Sequence, residues 1–138
     1  LFSEATKNSK TRFCCVRYGN VLGTTGSVTT IWDKQVAEGK PLTVTSKEMT
    51  RFFFTVDESI DLIFYALANT KGGEVFTRKM KSFNIYKMAK EIRDIVVVTG
   101  LRPGEKLHET LIADYEGVAW TSERALKYEG KEVVVING

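Results

Sequence analysis

Apolar positions along this chain fall into two spacings, and each predicts a set of elements. Between Asp57 and Asn69, Ile60, Ile63, Phe64 and Leu67 recur at helical spacing, so a helix is expected there, capped by Asp57 and stopped by Gly72-Gly73. Ser27 and Asn84 stand where they would cap further helices over 28–38 and 84–93, and 1–7 reads as the last turns of another. Short apolar or β-branched runs predict strands at 13–18, 41–45, 53–56, 74–77 and 95–99. Beyond Pro103-Gly104, Glu105 is expected to open a helix reaching Ile112. Near the C-terminus, 117–121 and 132–136 have strand character, with a turn or short helix over 122–128.

Composition narrows the classes. With 138 residues, 43% of them hydrophobic, the chain can build one compact core but hardly two. A net charge of +3 and a pI near 8.9 come from scattered basic residues, better explained by phosphate ligands or ordinary solvation than by nucleic acid. Cys14 and Cys15 are neighbours on opposite faces of a strand; a bridge between them would be strained, and two thiols make no zinc site. They read as small buried hydrophobes suited to a reducing, cytoplasmic compartment. No signal peptide, membrane-spanning run, low-complexity tract or repeat is present. Trp32, Trp120 and Tyr128 read as core packing.

Three segments carry candidate chemistry, and each admits a bland reading. In Gly100-Leu101-Arg102-Pro103-Gly104-Glu105-Lys106-Leu107-His108-Glu109, proline and glycine force a turn between a guanidinium and a carboxylate. Arg102 can hold a phosphate bidentately and Glu105 can accept from paired sugar hydroxyls; otherwise this is a solvated surface turn. Arg51 sits within the apolar run Met49 to Phe54, where an unpaired charge is costly. It either pairs with a nearby acid such as Asp57 or Glu58, or joins Arg102 on one diphosphate. The loop Tyr18-Gly19-Asn20-Val21-Leu22-Gly23 to Gly26-Ser27-Val28 follows a strand, the end at which open α/β sheets collect ligands. Tyr86 and Lys90 share a helix face but read as chance spacing, and His108 as a structural or diphosphate-flanking group on the helix of Glu105.

Taken together, Arg17-Tyr18-Gly19-Asn20-Val21, Gly26-Ser27-Val28, Pro41-Leu42-Thr43-Val44-Thr45, Met49-Thr50-Arg51-Phe52-Phe53 and Arg102-Pro103-Gly104-Glu105-Lys106-Leu107-His108-Glu109 resemble a known family. They match, in order and spacing, the extended short-chain dehydrogenase/reductases that act on nucleotide sugars, most closely the polysaccharide-biosynthesis branch containing UDP-N-acetylglucosamine 4,6-dehydratases. Departures are Thr24-Thr25 where a Ser-Arg pair is usual, and Thr30 and Lys81 where proline is frequent.

The resemblance implies an α/β fold: the C-terminal part of a Rossmann-type unit, with residues 1–22 the end of its nucleotide-binding sheet and a small α+β substrate-binding domain beyond. It implies that Tyr18 and Val21 lie near the nicotinamide of NAD or NADP, which the N-terminal half would mainly bind. Asn20 would touch the sugar or diphosphate, Ser27 and Val28 the nucleotide by their backbone, and Leu42 and Thr43 the uracil. Arg51 and Arg102 would clamp the diphosphate, and Glu105 the ribose hydroxyls. The catalytic Tyr-x-x-x-Lys pair is expected upstream of Leu1, no metal is implied, and the intact protein is expected to be a homo-oligomer without a membrane segment. A UDP-sugar 4,6-dehydratase is the leading activity. Its rivals are a 4-epimerase, a non-catalytic nucleotide-sugar-binding module, and a ligand-free interaction domain.

Overall fold

In the computed structural model, which describes residues 2–117, 120–123 and 133–136, capping groups decide where the helices begin. Helix α1 (Phe2–Ala5) runs into a single 3-10 turn, and strands β1 (Cys15–Arg17) and β2 (Asn20–Val21) follow. The Ser27 hydroxyl accepts from the Thr30 amide and opens α2 (Val28–Ala37). Strands β3 (Leu42–Val44) and β4 (Thr50–Phe54) lead to α3 (Val56–Asn69). Its cap is Thr55 rather than Asp57, because Thr55 and Glu58 satisfy each other: the hydroxyl accepts from Glu58 N and the carboxylate from Thr55 N. Next come β5 (Val75–Arg78), β6 (Ser82–Asn84), α4 (Ile85–Ile92) capped by Asn84, β7 (Val96–Val98), β8 (Thr110–Ile112), β9 (Trp120–Thr121) and β10 (Val133–Ile136). Most of 122–132, with Tyr128, lies outside the described residues.

The α/β expectation holds, since β1 and β2 each pair in parallel, with β5 and β4 respectively, and helices intervene. Besides the α3 cap, the strand expected at 53–56 lies instead at Thr50–Phe54, because the Thr55–Glu58 cap starts α3 at Val56, and two larger expectations fail. No helix forms over 105–112, because partners elsewhere in the chain take the carbonyls it would need. Lys106 O and Leu107 O accept from the Arg51 guanidinium, Leu107 O also from Thr50 N, and Glu109 O from Ser122 N. The second failure concerns the buried face of α3. It buries Ser59, Leu62 and Ala66, while Ile60, Ile63, Phe64 and Leu67, whose spacing announced the helix, remain exposed.

Four small sheets, ordered β1-β5-β10, β2-β4-β6, β3-β7 and β8-β9, are joined through β4. Three consecutive phenylalanines on that strand enter three different cores. Phe52 packs with Leu111, Ile112 and Ile136; Phe53 with Trp32, Leu42, Met49 and Ile85; Phe54 with Leu62, Ala66 and Phe76. Gly19 lets the β1–β2 connection pass against this strand, since a Cβ there would meet the Phe52 carbonyl oxygen at 2.6 Å. Trp32 is buried with its Nε1 donating to Thr43 O at 3.0 Å, as core packing requires.

Two carboxylates tie loops to this frame. Glu74 is held down to about 2 by the Thr70 hydroxyl at 2.7 Å and, more weakly, by the Lys71 and Gly72 amides, against the opposing effect of burial. Glu116 is likewise held at about 2, first by the two-pronged Arg17 guanidinium at 2.8 Å and then by Ala113 N. Their folded values lie below the ordinary 4.5, so the stability they contribute is present above that pH and is lost as pH falls towards 2. Urea midpoints measured from pH 6 to pH 2 should therefore fall, and Glu74→Gln should lower the pH 6 midpoint while flattening the fall. An equally steep fall in Glu74→Gln would show that this carboxylate is not part of it.

Candidate functional site

Pleating sends Arg51 and Phe53 to one face of β4, and there they wall a cavity of about 530 Å³. Asn20 enters from the start of β2, Gly26 and Val28 from the first turn of α2, and Thr43 and Thr45 from β3 and its exit. Arg102 and Glu105 close the rim from the Pro103-Gly104 turn. Gly104 has φ of 80°, the positive value that the third position of a type II turn requires, and Glu105 N donates to Arg102 O at 3.0 Å. Of the residues expected at a site, Asn20, Val28, Thr43, Arg51, Arg102 and Glu105 share this one cavity.

The side chains of four others do not line it. Leu42 has no exposed surface and packs in the Trp32 core, next to the lining residue Thr43. The Ser27 side chain is spent on the α2 cap, while its backbone, the part expected to meet a nucleotide, lies between the cavity-lining Gly26 and Val28. Val21 packs against the Phe54 cluster. Tyr18 stands half-exposed just past β1, its ring edge-on to Phe54 at 5.8 Å. Tyr86 packs on the Trp32 core and Lys90 is exposed, so neither lines the cavity.

Arg51 and Arg102 differ sharply in their surroundings. The Arg51 guanidinium is largely buried and donates to Thr50 O at 2.8 Å, Leu107 O at 3.1 Å and Lys106 O at 2.7 Å. Its ion-pair partners are Glu105 at 3.8 Å and Glu109 at 3.6 Å, not the neighbouring acids Asp57 and Glu58. Arg102 is exposed on the rim, and no described residue pairs with its guanidinium. Arg51 is thus a brace carrying positive charge into the cavity, and Arg102 is an open fork.

Glu105 holds the turn as well as facing the cavity. Its carboxylate accepts from Arg102 N at 3.1 Å and from the Thr45 hydroxyl at 3.3 Å, leaving acceptor capacity for a ligand. Thr43 is gripped by Gln35, whose amide donates to its hydroxyl and accepts from its backbone N. His108 shares no helix with Glu105. It lies behind β4, its Nδ1 2.7 Å from the Thr50 hydroxyl, which donates to Ser122 in turn.

Sequence reading passed over Thr45 and Glu109, although both stand inside the quoted motifs. Glu109 accepts from Asn20 Nδ2 and Phe52 N while facing Arg51. The available signal was the need of a buried guanidinium for counter-charge, for which sequence proximity offered only Asp57 and Glu58 as candidates. Among the described residues no group of His, Cys, Asp and Glu is arranged to hold a metal, and no helix is long and apolar enough to cross a membrane.

Comparison with known proteins places this cavity in context. The profile of the family described as polysaccharide biosynthesis protein matches residues 1–129. The capsular polysaccharide biosynthesis protein CapD of Staphylococcus aureus is 45% identical over 115 residues, covering 76% of this chain and 19% of that protein. A UDP-glucose 4-epimerase of Rickettsia rickettsii is 36% identical over 115 residues, covering 79% of this chain and 34% of its own length. Among solved structures, Pen from Bacillus thuringiensis superposes with a TM-score of 0.79 at 30% identity, over 98% of this chain and 43% of that one. The chain thus spans less than half the length of these proteins.

The brace and the fork should separate by mutation. Arg51→Met leaves two carboxylates and three carbonyls without their cation and should cost about 3 kcal/mol, read as a lowered urea midpoint. Arg51→Lys should recover little, because a single ammonium cannot span those acceptors. Arg102→Met should leave the midpoint within about 0.5 kcal/mol of the parent. Equal midpoints for the Arg51 and Arg102 variants would contradict the assignment.

Proposed function

The chain belongs to the polysaccharide biosynthesis protein family, a branch of the extended short-chain dehydrogenase/reductases, and we propose that it is the substrate-holding part of a UDP-N-acetylglucosamine 4,6-dehydratase. The observation that carries this reading is the pairing of an unpartnered guanidinium, Arg102, with a braced one, Arg51, across a cavity that also presents the Glu105 carboxylate. Arg51 is balanced by Glu105 and Glu109, so the charge left open to a ligand is that of Arg102 on the rim, which suits a diphosphate. The first turn of α2 adds unpaired backbone amides on the same wall. Glu105 supplies acceptors for vicinal ribose hydroxyls, and the Thr43 hydroxyl, already accepting from Gln35, has its proton to offer a uracil carbonyl.

Holding the nucleotide far from the reacting carbons contributes to rate, because a fixed diphosphate fixes where the hexose lies. NAD or NADP, when bound, supplies hydride exchange at the sugar. Tyr18 is the one residue expected near the nicotinamide that offers exposed side-chain surface, at the carboxyl end of β1, so this chain would contribute one wall of that site. A 4-epimerase is the second reading, favoured by the identity with the Rickettsia enzyme. Both reactions need the same grip on the nucleotide.

Calorimetry with UDP tests the grip directly. UDP should bind and raise the melting temperature, uridine should bind far more weakly, and Arg102→Ala should cost about thirtyfold in UDP affinity with folding intact. Absence of any UDP binding to the folded chain would remove the reading.

A further inference from the structure

Glu109 faces three groups on β2 and β4, two of them on Asn20 and Arg51, which line the cavity. Its Oε1 accepts from Asn20 Nδ2 at 3.1 Å, with Oε2 at 3.3 Å from the same nitrogen. Oε2 also accepts from Phe52 N at 3.2 Å, and Arg51 Nε lies 3.6 Å from Oε1. Asn20 Nδ2 makes a further bond to the Phe52 carbonyl at 3.1 Å. The nitrogen end of this amide is therefore surrounded by acceptors.

That environment settles which way the amide points. Turned over, it would set its oxygen against a carbonyl oxygen and a carboxylate, an arrangement with no proton to share. Asn20 lines the cavity, and no described residue donates to its Oδ1. The free end of the side chain is thus an acceptor, and an acceptor reads only donors.

We propose that Glu109 is a positioning residue that locks Asn20 with its carbonyl oxygen towards the cavity, making Asn20 a reader of hydroxyl or N–H donors on the sugar rather than of the diphosphate. A diphosphate carries only acceptors on its bridging and charged oxygens and gains nothing from that oxygen. Its binding falls to Arg102 on the rim. Glu109 serves both halves of the site, because the carboxylate that orients Asn20 also faces the Arg51 brace. The inference rests on the reading of the cavity as a UDP-sugar site.

The test compares affinities of UDP and UDP-N-acetylglucosamine by calorimetry for the parent chain, Glu109→Ala, Asn20→Ala and the double variant. The preference for the sugar nucleotide over UDP should fall about tenfold in each single variant and no further in the double. An unchanged preference in Glu109→Ala, or two losses that add, overturns the proposal. Should Glu109→Ala fail to fold, Glu109→Met keeps the volume, removes both acceptors and tests the same point. A readout without ligand is hydrogen exchange of the Asn20 side-chain amide, identified by its loss in Asn20→Ala. It should be slow in the parent and at least about tenfold faster in either Glu109 variant. Equal exchange in parent and variant shows that Glu109 does not hold Asn20. If the parent fails to bind UDP, the UDP-sugar reading and the ligand half of the proposal fall together, while amide exchange still decides whether Glu109 positions Asn20.

Discussion

The pleat of β4 is the constraint on which the remaining structure depends. Successive side chains on a strand must point to opposite faces, so Phe52 and Phe54 are committed to two cores on one side and Arg51 and Phe53 to the other. A slip of one residue would pull all three phenylalanines from their clusters and expel Arg51 from the cavity wall. Pairing on both edges resists that slip. β2 runs parallel with Asn20 opposite Phe53, and β6 runs antiparallel with Phe83 opposite Arg51. Thus the register that packs the interior also sets Asn20 and Arg51 side by side.

A guanidinium placed on such a strand has to be compensated where it stands. Desolvating it alone would cost several kcal/mol, and the chain answers with three carbonyls and two carboxylates, four of them drawn from the 105–109 segment. The compensation explains why that segment is not helical: its carbonyls face Arg51, Thr50 N and Ser122 N in place of their own downstream amides. Behind it, the hydroxyls of Thr50 and Ser122, with His108 Nδ1, satisfy one another in a buried network. With Arg51 occupied, Arg102 on the far lip of the turn is left open, and the site separates into a braced charge and a free fork.

Local rules were legible along the chain. Ser27 and Asn84 cap the helices they were expected to cap, and Pro103-Gly104 makes its turn with the glycine at positive φ, because each depends on groups only a few residues apart. The order and spacing of the motifs likewise identified the family, since residues that build one cavity keep their intervals. What the sequence could not supply was choice among partners distant along the chain. Asp57 and Glu58 looked like counter-ions for Arg51, yet Glu105 and Glu109 hold that place. Ile60 and Phe64 looked like the buried stripe of α3, yet Leu62 and Ala66 are buried. Capping and turn geometry are short-range and so are written locally, whereas charge compensation and the buried face of a helix are settled by whichever surfaces the strands bring together, and only the tertiary structure decided those.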